Sequence, residues 1–171
     1  MGRIHLLATA ILGTWLGWTV AMWFAATRSF RTVDRVLGNP VPGFKQALAA
    51  LGGEQARTIL RHLASEINRT YFGTYGWAQL LLGAVLLALL WYESRRANLA
   101  VILACVMFGL VIILTAVVQP MIVSLGRSID FLPRNPEPPQ MARFWMLHGA
   151  FTGLDGVKLF AGLALSLIHI S

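Results

Sequence analysis

The sequence predicts an all-α integral membrane protein: a bundle of four transmembrane helices with an amphipathic helix between spans one and two. Composition is the first reason, since 57% of the 171 residues are hydrophobic and only 12% are charged, about half the charged share of a soluble domain. Placement is the second. Between Ile4 and Thr27 the only ionisable side chain is His5, and no Asp, Glu, Lys, Arg or His occurs from Tyr71 to Tyr92 or from Ala97 to Gly126. Crossing roughly 30 Å of hydrocarbon takes about 20 apolar residues as a helix. The third reason is the lack of a polar stripe in these runs, which a helix on a soluble core would carry.

Span one covers about residues 4–26. Its length and its bulky Trp15, Trp18, Trp23 and Phe24 argue against a cleaved signal peptide. Gly13 and Gly17 form a small-xxx-small pair that admits a neighbouring helix. Arg28 and Arg31 close the span. Gly38, Pro40, Pro42 and Gly43 then break the chain, and a short helix is expected from Phe44 to Leu51, stopped by Gly52 and Gly53. Over residues 54–70, Ala56, Ile59, Leu60, Leu63 and Ile67 recur at helical spacing, with Arg57, Arg61, Glu66 and Arg69 largely off that face. This amphipathic helix either lies in the membrane interface or continues straight into span two.

Span two covers about residues 72–91, and Glu93, Arg95 and Arg96 form a tight turn. Span three covers about 97–118, where Gln119 and Pro120 mark a kink or an end because proline removes a backbone donor. Residues 127–140 are a proline-rich connector that includes Arg134 and is expected to be extended. Span four covers about 142–170. The whole chain, 1–171, reads as one membrane domain. Its final LSLIHIS resembles a translated sequencing-adapter tail, so truncation is expected there and His169 carries no inference.

The net charge of +7 fits arginines flanking the spans at anionic headgroups. Basic patches interleaved with aromatics, as nucleic acid requires, are missing from the sequence. The lipid bilayer is therefore the expected partner, with no nucleic acid. The larger basic excess lies in segments 28–70 and 127–141, which places both in the cytoplasm of a plasma (inner) membrane protein. The single Cys105 forms no intrachain disulfide and reads as a small packing residue.

The sequence contains no Walker loop, dinucleotide fingerprint, HExxH, GxSxG or CxxC. What remains is polarity inside the spans. His148, Thr152 and Asp155 stand at i, i+4 and i+7, and Lys158 follows Asp155 at i+3. Ionisable groups within a membrane cost several kcal/mol and usually face a bundle interior in pairs. Antiparallel spans bring Tyr75, Gln79, Thr115 and Gln119 to the same half of the bundle. The expected site is a polar pocket lined by His148, Thr152, Asp155, Lys158, Gln79 and Gln119, opening toward the long loops and holding a small solute or ion. A neutralised Asp155–Lys158 pair that only specifies helix packing is the competing expectation. His62 is expected at headgroups or in solvent. His5, near the other end, is either interfacial or an axial ligand to haem b.

Three stretches carry a family resemblance. HLLATAILGTWLG opens span one, EQARTILRHLASEINRTYFGTYGWAQLLLGAVLL leads through span two, and FWMLHGAFTGLDGVKLFAGLAL forms span four. Together they resemble the family of domain of unknown function 4149, in a transmembrane protein 205-like form. The resemblance implies four spans and no established reaction. An association with platinum-drug resistance, linked to cysteines near the last span, does not carry over, because span four has no cysteine. The histidine and TWLG of span one also faintly resemble membrane protoporphyrinogen oxidase and copper-resistance proteins, which is what implies haem at His5. The functional expectation is non-catalytic binding or transport of a small solute or ion, or membrane scaffolding, with oligomer or protein partners. A haem-dependent oxidoreductase is the alternative.

Overall fold

Long uninterrupted helices follow from these long uninterrupted runs of helix formers. The computed structural model describes residues 2–95, 98–133 and 135–170. Helices α1 (Arg3–Gly38), α2 (Pro42–Leu51), α3 (Gly53–Ser94), α4 (Leu99–Ile113), α5 (Gln119–Ile129) and α6 (Gln140–Ile170) follow in order, with a π-helical turn, Leu114–Val118, joining α4 to α5. Four of the resulting rods are long and apolar enough to cross a membrane: α1, α3, the α4–α5 rod and α6.

Helix ends fall where the backbone chemistry demands. Arginine is a good helix former, so Arg28, Arg31 and Arg35 do not end α1. The helix runs on to Gly38, with Asn39 and Pro40 stopping it. Gly52, with φ +78, caps α2 in a backbone conformation that L side chains rarely adopt. Arg95 takes the left-handed conformation at the end of α3. Asn98 then starts α4, its side-chain oxygen accepting the Val101 N–H at 3.0 Å. Arg96 and Arg134 lie outside the described residues. Pro120 does not end span three. The chain stays helical through it, and the π-helical turn one residue before Gln119 loosens the ladder where Pro120 lacks a donor.

Side-chain contacts fix an up-and-down bundle. His5 meets Glu93, Trp15 meets Gln79 and Ser29 meets Asn68, so α1 and α3 run antiparallel. Gly83 faces Phe108 and Gly76 faces Thr115, so α3 and α4 do too. Gly162 sits between Leu16 and Met107, closing α6 against α1 and α4. The end near His5 is filled by Ala8, Leu12, Leu86, Leu90, Val101, Ala104, Met107 and Leu165. Polar side chains are buried in the other half. Trp77, Leu81, Phe160 and Leu167 point outward.

The amphipathic segment takes the second of its two expected placements, but buries a different face. It is the first part of α3, continuous with span two. Its inward face is Ala56, Ala64 and Asn68, not the larger apolar set. Ile59, Leu63 and Ile67 are exposed and Leu60 is half-buried. The reason is close packing on α1. Ser29 Oγ donates to Asn68 Oδ1 at 2.8 Å and Asn68 Nδ2 to the Ala26 carbonyl at 3.4 Å, and only small side chains keep the helices that near.

Gly83 shows how tightly the helices meet. A Cβ there would stand 2.7 Å from Phe108 Cδ2 and 3.0 Å from Trp15 Cη2, whereas one at Gly13 would meet nothing within 4 Å. Gly83→Ala is therefore expected to destabilise by about 1–3 kcal/mol and Gly13→Ala to be tolerated. Thermal unfolding of both variants in the same detergent micelle measures the difference.

Candidate functional site

The buried face of α6 repeats at alternating steps of four and three: Phe151, Asp155, Lys158, Gly162, Leu165. That stripe is the seam of a packed helix, and it carries both ionisable residues inward. Asp155 and Lys158 are fully buried, and Lys158 Nζ donates to Asp155 Oδ1 at 2.5 Å. Lysine has three donors, and all three are used. The second goes to Tyr75 OH at 3.1 Å and the third to Gln79 Oε1. The ammonium also lies 5.1 Å from the Tyr75 ring centroid, within cation–π range.

Asp155 is also held from two other helices. Trp23 Nε1 on α1 donates to Oδ2 at 2.7 Å, and Tyr75 OH on α3 approaches Oδ1 and Oδ2 at 3.3 and 3.4 Å. Trp15 Nε1 donates to Gln79 Oε1 at 2.7 Å, so that oxygen serves both an indole and the lysine. Each indole N–H thus ends on an oxygen of the cluster, as a buried tryptophan requires.

The α4–α5 rod closes the remaining side. Thr115 in the π-helical turn and Gln119 just after it approach Gly76, where a Cβ would come within 2.8 Å of Thr115 Cγ2 and 3.2 Å of Gln119 Oε1. Between them lies a cavity of about 10 Å3, lined by Tyr75, Gln79, Thr115, Gln119, Phe151 and Asp155 among others. It has room for about one water.

Of the six residues the sequence nominated, Asp155, Lys158 and Gln79 touch, and Gln119 lines the same cavity. His148 and Thr152 are not brought in. Thr152 is exposed and its hydroxyl donates back to the His148 carbonyl at 2.9 Å. It stands one residue off the buried stripe, so the i+4 step from His148 carries it to the flank. His148 is half-buried against Phe144 and Trp145, and its Nδ1 has no hydrogen-bond partner among the described residues. Sequence reasoning missed Trp15 and Trp23 and gave Tyr75 only a shared half of the bundle. The signal was present: Trp15, Thr19 and Trp23 recur every four residues on one face of α1.

A second polar network ties α3 to α5 nearer the long loops. His62 Nδ1 lies 2.9 Å from Asp130 Oδ2, and Arg69 NH2 is also 2.9 Å from Asp130 Oδ2. Arg69 also binds Glu66, and Arg127 NH2 lies 3.4 Å from Glu66 Oε2. His62 is thus half-buried in an ion-pair network, not simply at headgroups or in solvent. Gly126 makes room for the Arg69 guanidinium, which a Cβ would approach to 3.0 Å. Arg127 first and then Arg69 hold the Glu66 carboxyl below its ordinary range. The His62, Glu66 and Asp130 ligand atoms lie within 4.8 Å of one another, but the arginines already occupy the carboxylates. At the far end His5 Nδ1 is 3.3 Å from Glu93 Oε1 and its ring stacks on His169 with centroids 3.9 Å apart. A cavity of about 510 Å3 opens there, with His5, Glu93, Asn98 and Leu99 in its wall.

Four helices of membrane-crossing length, wound up and down around a buried polar cluster, are the build of a multi-pass membrane protein. Residues 47–129 match the family model described as Domain of unknown function (DUF4149). No curated protein and no solved structure matches the chain, and the transmembrane protein 205 likeness therefore stays a resemblance.

Two expectations follow for the second network. Arg69 and Asp130 are 12% and 7% exposed, so Arg69→Met, which leaves Asp130 with His62 but without its guanidinium partner, should destabilise by about 1–3 kcal/mol. Glu66, with a lowered folded pKa, contributes stability above its unfolded value that is lost as pH falls through the folded one. Unfolding temperature should therefore be flat near neutrality and drop only below about pH 4, and Glu66→Gln should remove part of that drop.

Proposed function

We propose that this is a multi-pass protein of the plasma (inner) membrane, with segments 28–70 and 127–141 cytoplasmic, that binds a small solute or ion without catalysis. The site is Asp155 and Lys158 with Gln79, Tyr75 and Gln119. The observation that carries the reading is the fully buried ion pair met by hydrogen bonds from α1 and α3. Desolvating two charges costs several kcal/mol apiece. A helix that needed only to pack would bury leucine there. The cavity beside Asp155 and the π-helical turn over it add a place and a weak point for access.

The small cavity also favours a second reading, in which the pair is a staple that sets helix register. Thermal unfolding of the detergent-solubilised protein separates the two. The double variant Asp155→Asn/Lys158→Met removes both charges together and is expected to fold, because replacing a whole buried pair is often neutral. Under the binding reading, a panel of monovalent and divalent cations, pH steps and small polar solutes contains a condition that raises the wild-type midpoint by mass action and leaves the double variant unmoved. A panel with no such differential shift leaves the staple.

A haem-dependent oxidoreductase is the third reading. Its support is Glu93, whose carboxylate at His5 Nδ1 would leave Nε2 to ligate iron; haem b would supply the redox chemistry. Purified protein expressed with haem supply should then show a Soret band that His5→Ala abolishes, and a colourless preparation removes the reading.

A further inference from the structure

We infer that the outward face of α1 docks one anionic phospholipid, its phosphate held between Arg28 and Arg31 and an acyl chain lying along Ala21 and Gly17. The inference stands apart from the buried pair and goes beyond the binding reading. Spacing is the first argument. From Gly17 a stripe runs through Ala21, Phe24, Arg28, Arg31 and Arg35 at alternating steps of four and three, which keeps it on one side of the helix. Every residue on it is exposed. Small and apolar side chains thus give way to arginine along a single face. A Cβ at Gly13 or Gly17 would meet nothing within 4 Å, so none of the described helices fills the small-residue end.

Charge is the second argument. The side chains of Arg28, Arg31 and Arg35 have no ion pair or hydrogen bond among the described residues. Asp34 is the one carboxylate on α1, and it turns to α3, with Oδ1 3.4 Å from Arg57 and Oδ2 3.9 Å from Arg61. The stripe is therefore a row of uncompensated cations. A second copy of the chain is the rival occupant, since small-xxx-small pairs let helices approach closely. Parallel copies meeting on this stripe would set arginine against arginine at every level from Arg28 to Arg35, with no carboxylate between them. Like charges juxtaposed across an interface oppose association. An anionic phospholipid brings the opposite sign where the arginines stand and hydrocarbon where the glycines stand.

Depth is the third argument. Along the helix axis Ala21 and Gly17 lie about 10 and about 16 Å below Arg28, which is the depth of one leaflet of a roughly 30 Å hydrocarbon core. Phe24, 62% exposed, offers its ring to the first carbons of the chain. Arg31 lies about 4.5 Å above Arg28, within the headgroup layer, where a guanidinium grips phosphate with two parallel N–H donors. Arg35 stands about one turn further out and adds attraction to an anionic surface. Phosphatidylcholine carries the same phosphate, but its own ammonium competes with the arginines, so a headgroup of net negative charge is preferred.

Photocrosslinking of the full chain in phosphatidylcholine nanodiscs tests this, with a trace of phosphatidylglycerol that carries a diazirine in its acyl chain. The label should map to residues 17–31 of α1. Unlabelled phosphatidylglycerol should compete it away, and added phosphatidylcholine or inorganic phosphate should not. Arg28→Gln/Arg31→Gln should raise the phosphatidylglycerol needed for half-maximal labelling about tenfold. Arg57→Gln/Arg61→Gln removes the same charge from arginines already met by Asp34 and should leave labelling unchanged. Equal loss in both variants would mean general attraction to a basic surface and overturns the site. Label spread over all the helices, or equal competition by phosphatidylcholine, overturns it as well. Gly17→Cys, made with Cys105→Ala to remove the single native cysteine, reports the rival: an efficient disulfide between copies would put a second chain on the stripe and overturn the lipid. Should the Arg28→Gln/Arg31→Gln variant fail to fold, the wild-type label map and its competition still decide.

Discussion

A lysine and an aspartate one turn apart, on the inward stripe of an apolar helix, impose conditions that the rest of the bundle meets. Lys158 brings three donors and Asp155 four acceptor sites into a place where water cannot serve them. The nearest helices must then present oxygens and N–H groups at that height. Helix α3 answers with Tyr75 and Gln79, and α1 with Trp15 and Trp23. Once those contacts are made, the vertical register of α1, α3 and α6 is set. The α4–α5 rod follows, because Gly76 lets Thr115 and Gln119 reach the same level.

The apolar half of the bundle has no such demand and packs by shape. Gly83 and Gly162 let Phe108, Trp15, Leu16 and Met107 interlock, which supplies dispersion contacts that do not depend on water. The two halves divide the work. Shape gives contact in one and hydrogen bonding gives register in the other. The Arg69–Asp130 network repeats the polar solution closer to the long loops, where solvent reduces its cost.

Much of this could be read from the chain. Run lengths without charge gave the four rods, and antiparallel order put Gln79, Thr115, Gln119 and Asp155 at one level. The i+3 step from Asp155 to Lys158 gave the pair. Other features depend on partners that spacing does not name. Ile59, Leu63 and Ile67 make the larger apolar face, yet α1 packs on Ala56, Ala64 and Asn68 because a short interaxial distance rewards small residues. Thr152 lies on a plausible face with His148 and Asp155, but the buried seam passes through Phe151. Pro120 reads as a break, and a π-helical turn absorbs it. His62 looks like a surface histidine until α5 brings Asp130 beside it.

The central claim is that Lys158 and Gln79 couple α6 to α3 inside the bundle. A double-mutant cycle with Lys158→Met, Gln79→Leu and the pair, followed by reversible unfolding in micelles, measures that coupling directly. The predicted interaction energy is about 1–3 kcal/mol, since the two groups share one buried hydrogen-bond network. Additive effects, agreeing within about 0.5 kcal/mol, would mean that the two side chains do not meet and would contradict the account.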